Sequence, residues 1–234
     1  MWYKVNKRYV GTQQVYPAGW KPWSNTVLYY SFDNDTASTS YDNSWNWYNW
    51  TWNNNLWTYT TWKVWNATQL QNISNKWMLM PTTISFPTTN YTISFFVKFT
   101  QSTSDSAAIF SKWYFTGSTW TNPYLYLYQQ NWYIKWDIPY VQDGVYNSWS
   151  AINDWNWHHV CCVKEWTTYK MYVDAVLKST QTSSYNIDWW SGSQWRLNRW
   201  ERTNLPWFDW LLDEFILENN AWTQQYIQDY IDKF

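Results

Sequence analysis

Residues 124–130 and 133–138 are two runs of alternating aliphatic, aromatic and polar side chains separated only by Asn131-Trp132. Two β-prone runs around a two-residue break read as a hairpin, and a type I′ turn requires positive φ at both central positions. Glycine takes that conformation freely, whereas a bulky aromatic residue takes it under strain. Here the second turn residue is tryptophan. The arrangement recurs: Asn46-Trp47, Asn49-Trp50, Asp154-Trp155, Asp188-Trp189 and Asp209-Trp210 also stand between strand-like runs, where Asn-Gly and Asp-Gly are the usual turn pairs. The chain has 26 tryptophans and 5 glycines in 234 residues, whereas average usage would give roughly 16 glycines. Tryptophan stands where glycine is missing. The expectation is that many of these tryptophans correspond to UGA codons that the natural host reads as glycine. Trp157, Trp195 and Trp207, in apolar or strand contexts, are expected to be genuine.

Further β-prone runs fall at 27–32, 67–70, 78–80, 91–99, 108–112, 158–164, 170–173, 194–198 and 211–217. Short strands at such intervals predict an all-β, two-sheet antiparallel sandwich. Within 91–99, Ile93, Phe95, Val97 and Phe99 point to one side, predicting one buried and one wetter face. The polar stretch 33–66 reads mostly as loop, with short strands near 58–64. One helix is predicted, at the end: Thr223 N-caps 224–231, whose Tyr226, Ile227, Tyr230 and Ile231 share a face. Residues 1–26 read as a short strand and extended connector, and 27–234 as the domain.

Lys+Arg 16 against Asp+Glu 17 gives a net charge of −1, and without a basic run the chain lacks the electrostatic footprint of a nucleic-acid or anionic-membrane binder. No stretch approaches the roughly 20 apolar residues of a membrane span, and the N-terminal segment shows no apolar core of an export signal. The expectation is a soluble chain with no nucleic-acid partner and no membrane insertion, working extracellularly or on a virion surface. Cys161 and Cys162 are adjacent, so they supply neither a disulfide framework nor a zinc spacing and are expected to fill a strand.

Several segments in order resemble the laminin G-like, concanavalin A-like lectin family. They are Leu28-Tyr29-Tyr30-Ser31-Phe32-Asp33, then residues 91–98, then Ile109-Phe110-Ser111-Lys112. Asn156-Trp157-His158-His159-Val160, Tyr169-Lys170-Met171-Tyr172-Val173-Asp174 and Phe208-Asp209-Trp210-Leu211-Leu212-Asp213-Glu214-Phe215 complete the series. The resemblance implies a jelly-roll sandwich of two face-to-face antiparallel sheets whose members bind glycans, proteins or other ligands. It also implies glycine at 155, 200 and 210. Ala175 departs from the family pattern, in which glycine follows the Tyr-Val-Asp motif, so that hairpin is expected to take another shape.

The resemblance further implies a structural calcium held by Asp213, with Asp33 or Asn34 and backbone carbonyls completing its oxygen shell. The alternative is a hydrogen-bonded strand aspartate. His158 and His159 point to opposite faces of one strand and read as sheet histidines rather than ligands. Arg196, Arg199 and Arg202, near Glu201, form the only small basic cluster and suit hydrogen bonding to sugar hydroxyls or carboxylates. Tyr124, Tyr126 and Tyr128 share a strand face that forms either a stacking platform for sugar rings or ordinary sheet packing. Of the four glutamates, Glu165, Glu201, Glu214 and Glu218, none forms a convincing glycosidase acid/base pair, and no nucleophile or phosphate-loop motif occurs. The chain therefore reads as a non-catalytic ligand-binding module, with a glycan or surface polysaccharide as partner, for adhesion or host recognition. A structural role in a phage tail or virion surface is the alternative, since residues 7–17 loosely resemble leader segments of phage tail-associated proteins. A glycoside hydrolase comes third.

Overall fold

The computed structural model describes residues 8–10, 13–15, 24–33, 35, 39–52, 58–61, 66–70, 78–79, 84, 87–99, 107–113, 115–116, 119–120, 125–130, 133–137, 145–147, 151–184, 194–197 and 210–234. In chain order the strands are β1 (Arg8–Val10), β2 (Gln13–Val15), β3 (Thr26–Tyr30), β4 (Thr39–Ser40), β5 (Trp50–Trp52), β6 (Thr58–Thr61), β7 (Asn66–Leu70) and β8 (Met78–Leu79). They continue with β9 (Asn90–Phe99), β10 (Ala107–Trp113), β11 (Phe115–Thr116), β12 (Thr119–Trp120), β13 (Leu125–Gln130), β14 (Tyr133–Asp137) and β15 (Val145–Asn147). The last are β16 (His158–Glu165), β17 (Thr168–Val173), β18 (Val176–Thr182), β19 (Gln194–Leu197) and β20 (Trp210–Glu218), followed by the helix α1 (Gln224–Ile231).

Two eight-stranded antiparallel sheets make the sandwich. One runs β15-β14-β13-β10-β19-β8-β5-β4; the other runs β18-β17-β16-β9-β20-β7-β6, with β3 also paired to β20. The short β1 and β2 pair with each other, so the segment before 27 carries a hairpin rather than a single strand. The inward alternation expected for 91–99 is present: Ile93, Phe95, Val97 and Phe99 meet Phe110, Leu127, Ile134 and Trp136 of the facing sheet in one buried cluster.

The outer face of β9 is not the wetter face that its alternation suggested. Phe96, with Cys161, Val163, Tyr172 and Ile216, lies beneath Trp222, Ile227 and Tyr230 at and around α1. The helix covers the middle of this sheet, so β9 and β20 are buried on both sides. Thr223 caps it as expected, its side chain accepting from the Tyr226 amide. Cys162 faces the inner core and Cys161 the outer cluster, and burial pushes both thiols up, as suits inert packing residues.

The turns bear out the positive-φ expectation at two positions and correct it at two others. Trp47 and Trp155 hold φ of 56° and 68°. Trp166, in the two-residue turn closed by the Glu165–Thr168 pair, holds 55°. Trp50 and Trp210 are strand residues instead; Trp210 pairs with Leu70 of β7 and Phe99 of β9, and its side chain is buried in the main core cluster. Asn131-Trp132 and Asp188-Trp189 lie outside the described residues, although the Gln130–Tyr133 pair leaves two residues to close that hairpin. Ala175 does not change its turn: Asp174 and Ala175 have φ of 50° and 59°, the signature of a type I′ turn closed by Val173 and Val176.

Candidate functional site

Residues 41–49 connect β4 to β5 and form a loop organised chiefly by the Asp42 carboxylate, with Asp35 accepting from the Tyr41 amide (3.1 Å) where the loop begins. Asp42 is buried, and its oxygens accept from the amides of Tyr29 (3.0 Å), Ser44 (2.9 Å) and Tyr48 (2.8 Å) and from the Ser44 hydroxyl (2.6 Å). Its own amide donates to Asn49 Oδ1 (3.0 Å), and Asn46 Nδ2 donates to the Thr26 and Val27 carbonyls. Tyr30 donates from its hydroxyl to the Tyr48 carbonyl. Burial pushes the Asp42 carboxyl up, while the donors around it pull it back. The loop is thereby fastened to β3 at several points, and it turns Tyr41, Trp45 and Trp47 towards solvent at 39%, 65% and 68% exposure. Fixed aromatic rings over a braced backbone are what stacking against an apolar sugar face requires. Strand periodicity does not mark this loop, which lies in a polar stretch of the sequence. The available signal was the Asp-x-Ser pair, an Asx-turn pattern.

A second acidic region lies where β20 bulges between Asp213 and Ile216. Glu214 holds φ of 50°, and its Oε2 accepts from Tyr29 (2.6 Å) and Tyr230 (3.5 Å). Both phenols are pushed well up, chiefly by burial and then by the Glu214 charge. Asp213 is buried, and its Oδ1 accepts from the Glu214 amide (2.9 Å). The charges of Asp33 and Asp213 reach this same pair of tyrosines, Asp33 acting on Tyr29 and Asp213 on Tyr230. Asp33 follows β3, which pairs with β20, the strand that carries Asp213. Among the described residues no three His, Cys, Asp or Glu side chains group around a point suited to a metal. Carbonyl oxygens would have to supply most of a six- to eight-oxygen calcium shell.

The other candidates divide. Arg196 stands in β19 opposite Ser111 and Leu79, while Arg199, Arg202 and Glu201 lie outside the described residues. Tyr126 pairs with Ser111 and Asp137 in its ladders, and Tyr124 lies outside the described residues. Tyr128 is buried, with its hydroxyl pushed up to about 12 by desolvation and by Asp137, so at that position the stripe is sheet packing and not an open platform. The two histidines do face opposite ways. His159 is fully buried against Phe96 and Tyr230, with Nε2 2.7 Å from Ser94 Oγ. His158 meets Asp154, four residues before it, and Asp174, in the turn after β17, although as a sheet histidine it was expected to have no acidic partner.

Three glutamates have structural contacts. Glu165 pairs with Lys170 at the surface, Glu214 lies under two tyrosines, and Glu218 accepts from Thr26 (3.0 Å) and the Trp222 indole (2.8 Å).

Residues 71–228 match the family model of the concanavalin A-like lectin/glucanases superfamily. The chain belongs to this superfamily. No curated protein matches the sequence. Among solved structures, the binding domain of Paraclostridial Mosquitocidal Protein 1 superposes with a TM-score of 0.67 at 12% identity, over 88% of this chain and 51% of that one. The botulinum neurotoxin serotype D ligand-binding domain in complex with N-acetylneuraminic acid gives 0.64 at 14%, over 89% and 50%. Domain 4 of AbnA, a GH43 extracellular arabinanase from Geobacillus stearothermophilus, in complex with arabinotriose, gives 0.61 at 20%, over 88% and 97%. The superfamily member described here spans about half the length of the two toxin chains and nearly all of the arabinanase domain.

Proposed function

We propose that this superfamily member is a non-catalytic glycan-binding module serving adhesion or host recognition. The observation that carries the reading is the 41–49 loop, an Asp42-braced segment that exposes Tyr41 and Trp45, with Trp47 left out as one of the expected glycines. Support comes from the relatives with the same fold, one solved with a sialic acid and one with an arabino-oligosaccharide. The structural contacts of Glu165, Glu214 and Glu218 favour binding over hydrolysis, because a glycosidase needs two carboxyl groups facing one substrate. Tyr41 is the residue of choice for testing the loop, since it stands apart from the question of which tryptophans the natural gene encodes. Arg196 and Arg199 are the proposed polar contacts, and display on a phage tail or virion surface is the proposed setting.

A glycan array followed by calorimetric titration of the best oligosaccharide tests the proposal. Tyr41→Ala is expected to weaken binding by about tenfold, the scale of one lost stacking contact. An array with no binder, or a binder indifferent to Tyr41→Ala and to Trp45→Ala, overturns the assignment to this loop.

A further inference from the structure

His158 opens β16 at the end of the sandwich opposite the Trp166 turn. Its two ring nitrogens meet two different carboxylates: Nδ1 is 2.8 Å from Asp174 Oδ2 in the β17–β18 turn, and Nε2 is 2.9 Å from Asp154 Oδ1 in the preceding loop. We propose that His158 is a proton-operated clamp that ties the 154–156 tip to the β17–β18 turn as the imidazolium and releases the tip as the neutral ring. The clamp is a property of the sandwich rim and stands independently of any ligand.

Ionised carboxylates only accept hydrogen bonds, so two such contacts require both ring nitrogens to donate, which only the imidazolium does. The neutral ring has one N–H, and its bare nitrogen then faces a carboxylate oxygen. The Asp174 contact is the one retained. Asp174 Oδ1 also accepts from the His159 amide (2.9 Å), and the Asp174 amide donates to the His159 carbonyl (2.9 Å), so this carboxylate is fixed from both sides. Asp154, by contrast, otherwise bonds within its own tip, to the amide and Nδ2 of Asn156. Release ends at Asn153 and Ile152, both buried, on one side and at Trp157, packed against the outer cluster, on the other.

Among the described residues, His158 is faced or adjoined by Asp154 from the loop, Asp174 from the turn, Val97 opposite it on β9, and adjacent His159, which is buried and held neutral. Hydrogen bonding to Asp174 raises the His158 pKa above its usual value, partial burial opposes the rise, and Asp154 adds to it. Desolvation is the largest single influence on Asp154 and raises its pKa, but the Asn156 and His158 contacts together outweigh it and hold the carboxyl down at about 2. The clamp is therefore complete once Asp154 is ionised. It persists past the usual histidine pKa of about 6.5 and opens as pH rises through the higher folded value.

NMR on the full chain tests this: the His158 ring resonances are titrated, and backbone order at 154–156 is followed by 15N heteronuclear NOE between pH 5 and 9. The expected result is a His158 midpoint above 6.5 with loss of order at 154–156 across that same midpoint. Asp154→Asn lowers the midpoint while keeping the turn-forming oxygen. His158→Gln leaves the tip disordered at every pH with the rest of the spectrum dispersed. A wild-type midpoint at or below 6.5 overturns the clamp, as does order at 154–156 that is flat with pH. An order transition that survives in His158→Gln does so too.

Discussion

Replacing Trp166 by glycine should stabilise the protein, and the structure sets the size of the gain. The residue holds φ of 55° in a two-residue turn, and a non-glycine residue in the left-handed region costs about 1–2 kcal/mol. Glycine recovers that strain but gives the unfolded chain extra freedom, a loss of about 0.4–1 kcal/mol. Little apolar burial is forfeited: the side chain is 68% exposed, and a realistic unfolded chain already covers about 10–40% of such a surface. The net is a stabilisation centred on about 0.8 kcal/mol, within a range of roughly 0–1.6 kcal/mol, and in a chain of this size Tm moves by about 2–4 °C per kcal/mol. Trp47 and Trp155 share the same sign of φ and similar exposure, so the triple glycine variant should gain additively where the sites are far apart. Trp136→Gly supplies the contrast, because that ring is fully buried against Tyr91 and Tyr169, and emptying its site should cost at least about 3–5 kcal/mol. Denaturant unfolding measures both. A Trp166→Gly protein that is no more stable than the parent would refute the reasoning. The gene carries a matching expectation: UGA at 47, 155 and 166 and UGG at 136 and 222, where buried indoles pack.

Four further outcomes are expected. Buried neutral His159, its pKa pushed down to about 3 by desolvation, makes stability fall with acid from the unfolded value near 6.5 towards 3, by up to about 1.4 kcal/mol per unit; His159→Phe should flatten that limb of a pH–stability profile. Ser94→Ala combined with His159→Phe should cost less than His159→Phe alone, because the single change strands the Ser94 hydroxyl that now meets Nε2; a double-mutant cycle reads the coupling. Thr223→Ala removes the cap on the Tyr226 amide and should cost about 0.5–2 kcal/mol in chemical unfolding. If Asp213 and Asp33 hold a structural calcium, chelation lowers Tm and Asp213→Asn abolishes that shift, whereas an unchanged Tm retires the site.

The sandwich was legible because its strands obey a period of two and its turns sit at two-residue breaks. The helix was legible because Thr223 precedes a clean apolar face. What escaped depends on contacts far apart in the chain. Nothing in residues 91–99 announces that α1, over 120 residues later, covers their second face. A β-strand buried on one side reads like a strand buried on both when its outer residues are Ser, Thr and Phe. Turn chemistry was the more faithful guide: the sequence pairs Asn46-Trp47 and Asp154-Trp155 marked positive φ correctly. The same rule failed at Trp50 and Trp210, where strand pairing governs the backbone. Ala175 shows why the rule is a tendency. Its positive φ is imposed by the register of β17 and β18, with Asp174 bonded to both backbone groups of His159. The residue that fixes this turn also receives His158, so the hairpin that departs from glycine is the one that anchors the proton-sensitive rim.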